Sequence, residues 1–470
     1  MVELRRMKHS MNPKLVDKCV HFIWTNRFRF LRHYQLKAIQ KLQEAVADGK
    51  DRFLFEMATG TGKILTSAAV IRLYLRTQNA SRVLFLVDRL ELEDQAWKAF
   101  TEYLKPDYST FIFKEHRSDW RKADILVTTI QSLMHNDKYR YDFSPTDFDF
   151  LISDEAHRSI SGNARAVIEY FHGYKLGLTA TPKDYLKGVD PDKVKEKDPR
   201  EIERRMLRDT YSTFGCESGD PTFRYSLIDG VNDGFLINPW VLDSRPEITT
   251  QLLSDEGYAV IIPTKEGEET ETFVSRDFEK KFFSEKTNRI FCQTFLENAL
   301  SDPITNEIGK SIIFAVSQNH ARELTEMLND FAEQLFPGKY NSDFAVQVTS
   351  QVGDAQQMTI NFTYNNLNGK TTWLEGYNSY KTRICVTVGM MTTGYDCPDL
   401  LNICMMRPIF SPADFVQIKG RGTRKNTFEF KFKNELNEEE IIRRDKEIFK
   451  LFDFFANFEY FEEKFDYDEN

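Results

Sequence analysis

Short apolar runs alternate with amphipathic stretches through most of the chain. Arg52–Met57 (RFLFEM), Val83–Asp88 (VLFLVD), Ile125–Ile130 (ILVTTI), Phe148–Ser153 (FDFLIS) and Lys175–Thr179 (KLGLT) form a first series. Segments with helical spacing lie between them, the clearest running from Lys63 to about Arg76. Runs this short, apolar on both faces and separated by helices, predict a parallel sheet covered on both sides. A second series follows: Ser311–Val316, Phe344–Thr349, Arg383–Val388 and Leu401–Met406. The pattern predicts an α/β fold built as two parallel-sheet domains in tandem. No repeat of 20–50 residues is present, which excludes a solenoid.

Interruptions in the pattern divide the 470 residues into expected parts. Residues 1–29 are a basic, mixed extension, and residues 30–245 are the first domain. Between Lys183 and Thr210, 17 of 28 residues are charged and no strand signal remains, so a solvated insertion is expected there. Residues 246–295 form a polar linker and residues 296–432 the second domain. Residues 433–470 read as an acidic helical tail with interleaved aromatics, including Phe449, Phe452, Phe455 and Phe461. That tail holds 6 basic and 13 acidic side chains, most of the net charge of −9. The remaining body is nearly neutral and can still carry a local basic groove.

The six cysteines are scattered without a CxxC pair, which argues against a disulfide framework or a zinc knot. No apolar stretch is long enough to span a bilayer, and the first residues carry no apolar leader. A cytoplasmic protein without membrane contact is the expectation.

Four motifs carry chemistry. Ala58-Thr59-Gly60-Thr61-Gly62-Lys63 joins a strand to a helix, the setting in which backbone amides and a lysine cradle phosphates. The residue after the lysine is Ile64, where a Ser or Thr hydroxyl would ligate Mg²⁺; an alkyl group cannot coordinate a hard cation. Thr66, two residues on, faces elsewhere. Asp154-Glu155-Ala156-His157 follows another strand. Its Asp154 is placed to hold Mg²⁺ and its Glu155 to activate water. Thr179-Ala180-Thr181-Pro182 ends a third strand and offers two hydroxyls for coupling to the second domain. Gln417 to Arg424 (QIKGRGTR) places Arg421 and Arg424 three apart, on one face if helical, as arginine fingers would be.

In this order the motifs resemble the superfamily 2 helicases and translocases. Within them the chain is similar to the motor portion of the R (HsdR-type) subunit of type I restriction enzymes. Arg32-His33-Tyr34-Gln35, Val87-Asp88-Arg89, Thr128–Leu133, Thr222–Val231 and Gly394-Tyr395-Asp396-Cys397-Pro398 extend the resemblance from about residue 30 to residue 468.

The resemblance implies two RecA-like domains using ATP and Mg²⁺. Arg32, Gln35, Thr59, Gly60, Thr61, Gly62, Lys63, Ile64, Gly394, Asp396 and Gln417 would bind nucleotide, with Gln35 reading the adenine. Asp154 would hold the metal, and Lys63, Asp154, Glu155, Arg421 and Arg424 would serve hydrolysis. Arg89, Thr128, Thr129, Thr392 and Thr393 would lie along duplex DNA, and Thr179 and Thr181 would couple the domains. Methyltransferase and specificity subunits are the implied partners.

The nuclease domain and the methyltransferase-docking helical domain of a full R subunit are not expected here. An excised fragment, a split gene product or a decayed copy would account for that. Two other readings stay open: a nucleotide-binding module that hydrolyses poorly because of Ile64, and a superfamily 2 repair or RNA helicase.

Overall fold

The computed structural model describes residues 31–160, 162–187, 201–243, 283–350, 352–374, 377–391, 396–433 and 439–464. They form two compact units that part between Ser226 and Leu227. In the first unit, seven strands make one sheet: β1 (Arg52–Met57), β2 (Val83–Val87), β3 (Thr110–Ile112), β4 (Ile125–Thr129), β5 (Phe150–Ser153), β6 (Tyr174–Thr179) and β7 (Phe223–Tyr225). Their order is β3-β4-β2-β5-β6-β1-β7, and every neighbouring pair is parallel. Parallel neighbours require crossovers, and helices supply them: α1 (His33–Ala47) leads into β1, and α2 (Lys63–Arg76), α3 (Leu90–Leu104) and α4 (Ile130–Met134) follow β1, β2 and β4. Every residue of β2 and of β4 is buried, as two covered faces demand.

The order of strands positions the chemistry. β6 lies between β1 and β5, with Glu56 opposite Thr179 and Ser153 opposite Gly177. Because all three strands run the same way, the segments leaving them emerge at one edge of the sheet, where α/β folds bind ligands. β2 and β4 are also neighbours, with Val87 opposite Thr129. Their exits make a second cluster on the same edge.

The second unit has its own parallel sheet of β8 (Pro239–Asp243), β9 (Ser311–Phe314), β10 (Ala345–Gln347), β13 (Ile384–Thr387), β14 (Asn402–Met405) and β17 (Phe449–Asp453), ordered β10-β13-β9-β14-β17-β8. Two antiparallel hairpins accompany it, β11 (Lys370–Leu374) with β12 (Tyr377–Tyr380) and β15 (Thr427–Lys433) with β16 (Glu439–Asp445). Its helices include α5 (Glu285–Asn298), α6 (Gln318–Leu335), α7 (Pro412–Lys419) and α8 (Asn457–Lys464).

The observed units depart from the expected parts in three places. The first domain does not reach residue 245, because β8 pairs with β17 of the second sheet, Phe449 opposite Pro239. β8 is an edge strand with exposed positions, so its apolar signal is weak. The expected linker contains α5, whose Phe291, Cys292 and Phe295 join the core of the second unit; residues 244–282 lie outside the described residues.

The third departure is the tail, which is mostly strand and not helix. Phe449, Phe452 and Phe455 recur every three residues and imitate a helical stripe. In β17, however, Phe449 and Leu451 enter one core cluster while Phe452, with Phe454 just beyond the strand, enters the other. That period of two is the signature of a strand between two layers. Only α8 keeps the expected helix. The N-terminal extension and residues 188–200 of the charged insertion lie outside the described residues. The end of the insertion is pinned by the buried Asp209, whose carboxylate accepts the amides of Ser212 (2.7 Å) and Tyr185 (2.9 Å).

Candidate nucleotide and nucleic-acid site

The loop Ala58–Lys63 leaves β1 and opens α2 at Lys63. Two glycines make this turn possible, Gly60 at φ 98° and Gly62 at φ 77°, a region that residues with a Cβ avoid. Gly62 is doubly required, since a Cβ there would stand 2.8 Å from Gln35 Nε2. The loop is braced from behind. Tyr34 donates its hydroxyl to the Thr61 carbonyl (2.7 Å) and Gln35 Nε2 donates to the same oxygen (3.1 Å). Tyr34 stacks on Tyr225, with ring centroids 3.8 Å apart, and Tyr225 accepts the Ala58 amide (2.9 Å). Thr61 turns its hydroxyl back to Ala58 O (2.7 Å).

Gln35 is only 1 % exposed, and its Oε1 takes the Arg32 amide (3.0 Å). Both ends of this amide are therefore used inside the protein. Gln35, expected to read adenine, braces the loop through these bonds. Arg32 adds a 3.2 Å bond to the Tyr34 hydroxyl.

Asp154 and Glu155 leave β5. Glu155 adopts φ 46°, and its amide donates to Asp154 Oδ1 (3.0 Å). Burial, reinforced by the charge of Glu155, pushes the Asp154 carboxyl up to about 7, and Lys63 opposes that shift. Lys63 thus acts electrostatically on the acidic pair; its ammonium has a long contact to Met57 O (3.4 Å). His157 is 2 % exposed, and burial drives its pKa well below the usual range, so the ring is neutral. Its Nδ1 lies 2.8 Å from Thr179 Oγ1, 3.4 Å from Thr181 Oγ1 and 3.6 Å from Glu155 Oε2. The Thr181 amide donates to Thr179 Oγ1 (3.0 Å). Both threonines are thereby tied to the acidic loop through His157. Glu155 Oε2 is buried without a hydrogen-bond donor.

These residues suit a magnesium nucleotide. Mg²⁺ usually keeps several waters and takes one or two carboxylates plus substrate phosphates, and Asp154 beside a phosphate-type loop offers that single carboxylate. Among the described residues there is no cluster of three or more His, Cys, Asp and Glu that would cage a metal without a nucleotide. Thr66 does not replace the missing hydroxyl ligand: it is buried and donates to Gly62 O (3.0 Å).

The exits of β2 and β4 surround an open hollow of about 570 Å³ lined by Asp88, Arg89, Thr129, Gln131, Lys138 and neighbours. Arg89 is partly exposed there. Thr128 is not available: it is wholly buried, because both faces of β4 are covered. Thr129 is 3 % exposed and caps α4 by accepting the Ser132 amide (3.2 Å). His135 and Lys138 line the hollow as well; nothing in the motif pattern selects them, since they sit beyond it. Asp88 connects the two clusters. Its carboxylate accepts Arg158 Nη1 (3.0 Å) from the segment after Glu155, and Gln131 Nε2 (3.2 Å) from α4.

In the second unit α7 ends at Lys419 with Gly420 as its cap. Arg421 and Arg424 therefore lie in the turn beyond the helix and do not share a helical face. Gly422 explains the turn: a Cβ there would stand 2.1 Å from the Phe449 ring. Arg421 is 8 % exposed, and Arg424 Nε donates to Asp396 Oδ1 (2.8 Å). Gln417 is buried with neither amide atom hydrogen-bonded. Thr392, Thr393 and Gly394 lie outside the described residues, and Thr59 is half-buried in the loop.

The chain is similar to several known proteins. Residues 29–184 match the family described as type III restriction enzyme, res subunit. The chain is 28 % identical over 429 residues to the type I restriction enzyme EcoKI endonuclease subunit of Escherichia coli, covering 84 % of this chain and 33 % of that one. It is 28 % identical over 414 residues to the Escherichia coli EcoAI endonuclease subunit, covering 84 % and 44 %. The chain thus spans a third to under half of the length of these relatives. A fragment of an HsdR subunit from Vibrio vulnificus superposes with a TM-score of 0.62 at 24 % identity, covering 96 % of this chain and 69 % of that one. Two parallel sheets, the motif order and these relatives make the chain similar to HsdR-type subunits of type I restriction enzymes, which carry a superfamily 2 helicase motor.

Proposed function

We propose that the chain is an ATP-hydrolysing motor that moves along duplex DNA within a type I restriction system. The observation that carries this reading is the convergence of the Lys63 loop, Asp154, Glu155 and the His157–Thr179–Thr181 cluster at the edge formed by β1, β6 and β5. Backbone amides of the loop and Lys63 bind phosphates. Asp154 would hold Mg²⁺, which would supply neutralisation of phosphate charge. Glu155, with an oxygen free of donors, takes the proton of the attacking water. Arg421 and Arg424 bring positive charge to the γ-phosphate. The hollow beside Arg89 accepts a DNA backbone through charge and polar groups, which suits a motor indifferent to sequence. Methyltransferase and specificity subunits are the partners this reading assigns.

The test is steady-state ATP hydrolysis with and without long linear duplex DNA. A rise with duplex length is expected. Equal stimulation by a short fork favours a strand-separating repair or RNA helicase, and no DNA binding at all overturns the translocase reading. One observation favours a second reading. Ile64 leaves the magnesium site short of a hydroxyl, and Thr66 does not supply one, so a nucleotide-binding module with slow turnover is the alternative.

Asp88 gives an independent expectation. Asp88→Asn removes an anionic charge from the wall of the hollow and weakens the tie to Arg158. Duplex affinity at low salt should rise about two- to fivefold, a surface-charge effect of roughly 0.5–1 kcal/mol, while stimulation of hydrolysis by DNA falls. Titration of labelled duplex beside the ATPase assay checks both.

A further inference from the structure

Lys446 stands where the chain returns from β16, and it is 5 % exposed. Its Nζ donates to the carbonyls of Gly422 (2.8 Å) and Pro398 (3.0 Å). Its amide donates to Asn426 O (2.8 Å), and the ammonium lies 5.7 Å from the centre of the Phe449 ring, against which Gly422 is pressed. One side chain therefore joins two loops, Asp396–Asp399 and Gly420–Arg424. A second tie is the ion pair of Arg424 with Asp396. The far end of the first loop is anchored too. Asp399 takes Lys310, which is fully buried, at 2.9 Å, and accepts Cys397 Sγ at 3.1 Å. Lys310 also donates to Phe362 O (2.8 Å).

Stability does not call for this lysine. Burying an ammonium costs free energy, and an apolar residue of similar volume usually fills such a place as well or better. Among the described residues Lys446 has no carboxylate in direct contact; its two acceptors are backbone carbonyls. What those bonds achieve is geometric, because both acceptors belong to loops that carry candidate reacting groups.

We propose that Lys446 is a positioning residue, whose ammonium clamps the Gly420–Arg424 loop onto the Asp396–Asp399 loop and so fixes Arg421 and Arg424 for ATP hydrolysis. This rests on the assignment of those arginines to hydrolysis. The groups acting on Lys446 are Asp396, Cys397 and Asp399 from one loop and Arg424 from the other. Burial brings its pKa down to about 7, with Arg424 adding to the shift and the three acidic groups opposing it. The clamp is charged below that pH and loses its charge-assisted bonds above it.

The experiment uses the full chain. Lys446→Met keeps the volume and removes the donors. A loop misplaced by about 1 Å can cost on the order of 100-fold in rate, so kcat is expected to fall about 10- to 100-fold. KM for ATP should stay within twofold and the melting temperature should be unchanged or higher. Wild-type kcat is expected to decline above pH 7, and that decline should vanish in Lys446→Met. Wild-type kcat and an unchanged pH profile in Lys446→Met overturn the proposal. If Lys446→Met does not fold, Lys446→Arg decides: kcat within threefold at pH 6.5 and no decline up to pH 9 support the clamp, and an unchanged decline refutes it. Arg421→Ala separates the underlying reading. Full activity in that variant removes the arginine assignment and the clamp's purpose together, whereas loss of activity there with an unaffected Lys446→Met removes the clamp alone.

Discussion

Glu155→Gln lowers ATP turnover by about 10²–10⁴-fold, the range for loss of a positioned general base, and leaves nucleotide affinity within a few-fold. The substitution is nearly isosteric, so its effect is chemical. The carboxylate oxygen Oε2 is buried and accepts no hydrogen bond, and an amide in its place cannot take a proton. His157 does not take over, because burial holds its pKa well below the usual range and makes it a weak base, and its Nδ1 is committed to Thr179. Asp154 does not either, since its Oδ1 already accepts the Glu155 amide and its remaining capacity is needed for the metal. Phosphate release under saturating ATP, paired with equilibrium binding of a fluorescent nucleotide, checks both halves. Loss of binding together with turnover would show that Glu155 shapes the site and does not act in it.

Ile64→Thr raises turnover. The hydroxyl restores a magnesium ligand of the kind Asp154 alone does not provide, and it removes apolar bulk from the first turn of α2. Electrostatic groups at a transferring phosphoryl are typically worth about 2–4 kcal/mol at the transition state, roughly 30- to 1000-fold in rate. The gain should appear in kcat and in the magnesium concentration for half-maximal activity. An equal rate in both proteins would mean that phosphates, water and Asp154 satisfy the ion without a loop hydroxyl. Turnover only in Ile64→Thr would support the reading of a nucleotide-binding module, and the Glu155→Gln comparison would then be made in that background.

The first unit was largely legible in the sequence. β1 and α2 fall on their expected residues, because the RFLFEM run is buried on both faces and the two glycines force the turn between them. The juxtaposition of the three motifs was not legible. It depends on β6 inserting between β1 and β5, and no local pattern encodes a strand order. The positions of Thr128 and Gln35 show another limit: motif membership does not say whether a side chain faces a ligand or a neighbouring backbone. In the second unit, aromatic spacing in Phe449–Phe455 matched a helix as well as a strand. Only burial between two layers chose between them. Lys446 had no signature at all, since its partners are carbonyls from segments 24 and 48 residues away.

The place of β6 between β1 and β5 has a consequence for how such chains can vary. Gly173, just before β6, lies so close to the Asp149 carbonyl that an added Cβ would stand 2.4 Å away. At the other end, Thr179 faces Glu56 in register and holds His157. The stretch from Gly173 to Thr179 is therefore a ruler of set length. Loss or gain of one residue within it would turn Thr179 to the opposite side of the sheet, since side chains alternate with a period of two. A change of two would restore the side but move the hydroxyl by roughly 6–7 Å, out of reach of the imidazole. Related chains should accept insertions in the loops around this strand and substitutions of matching size within it. They should not accept a change in its length.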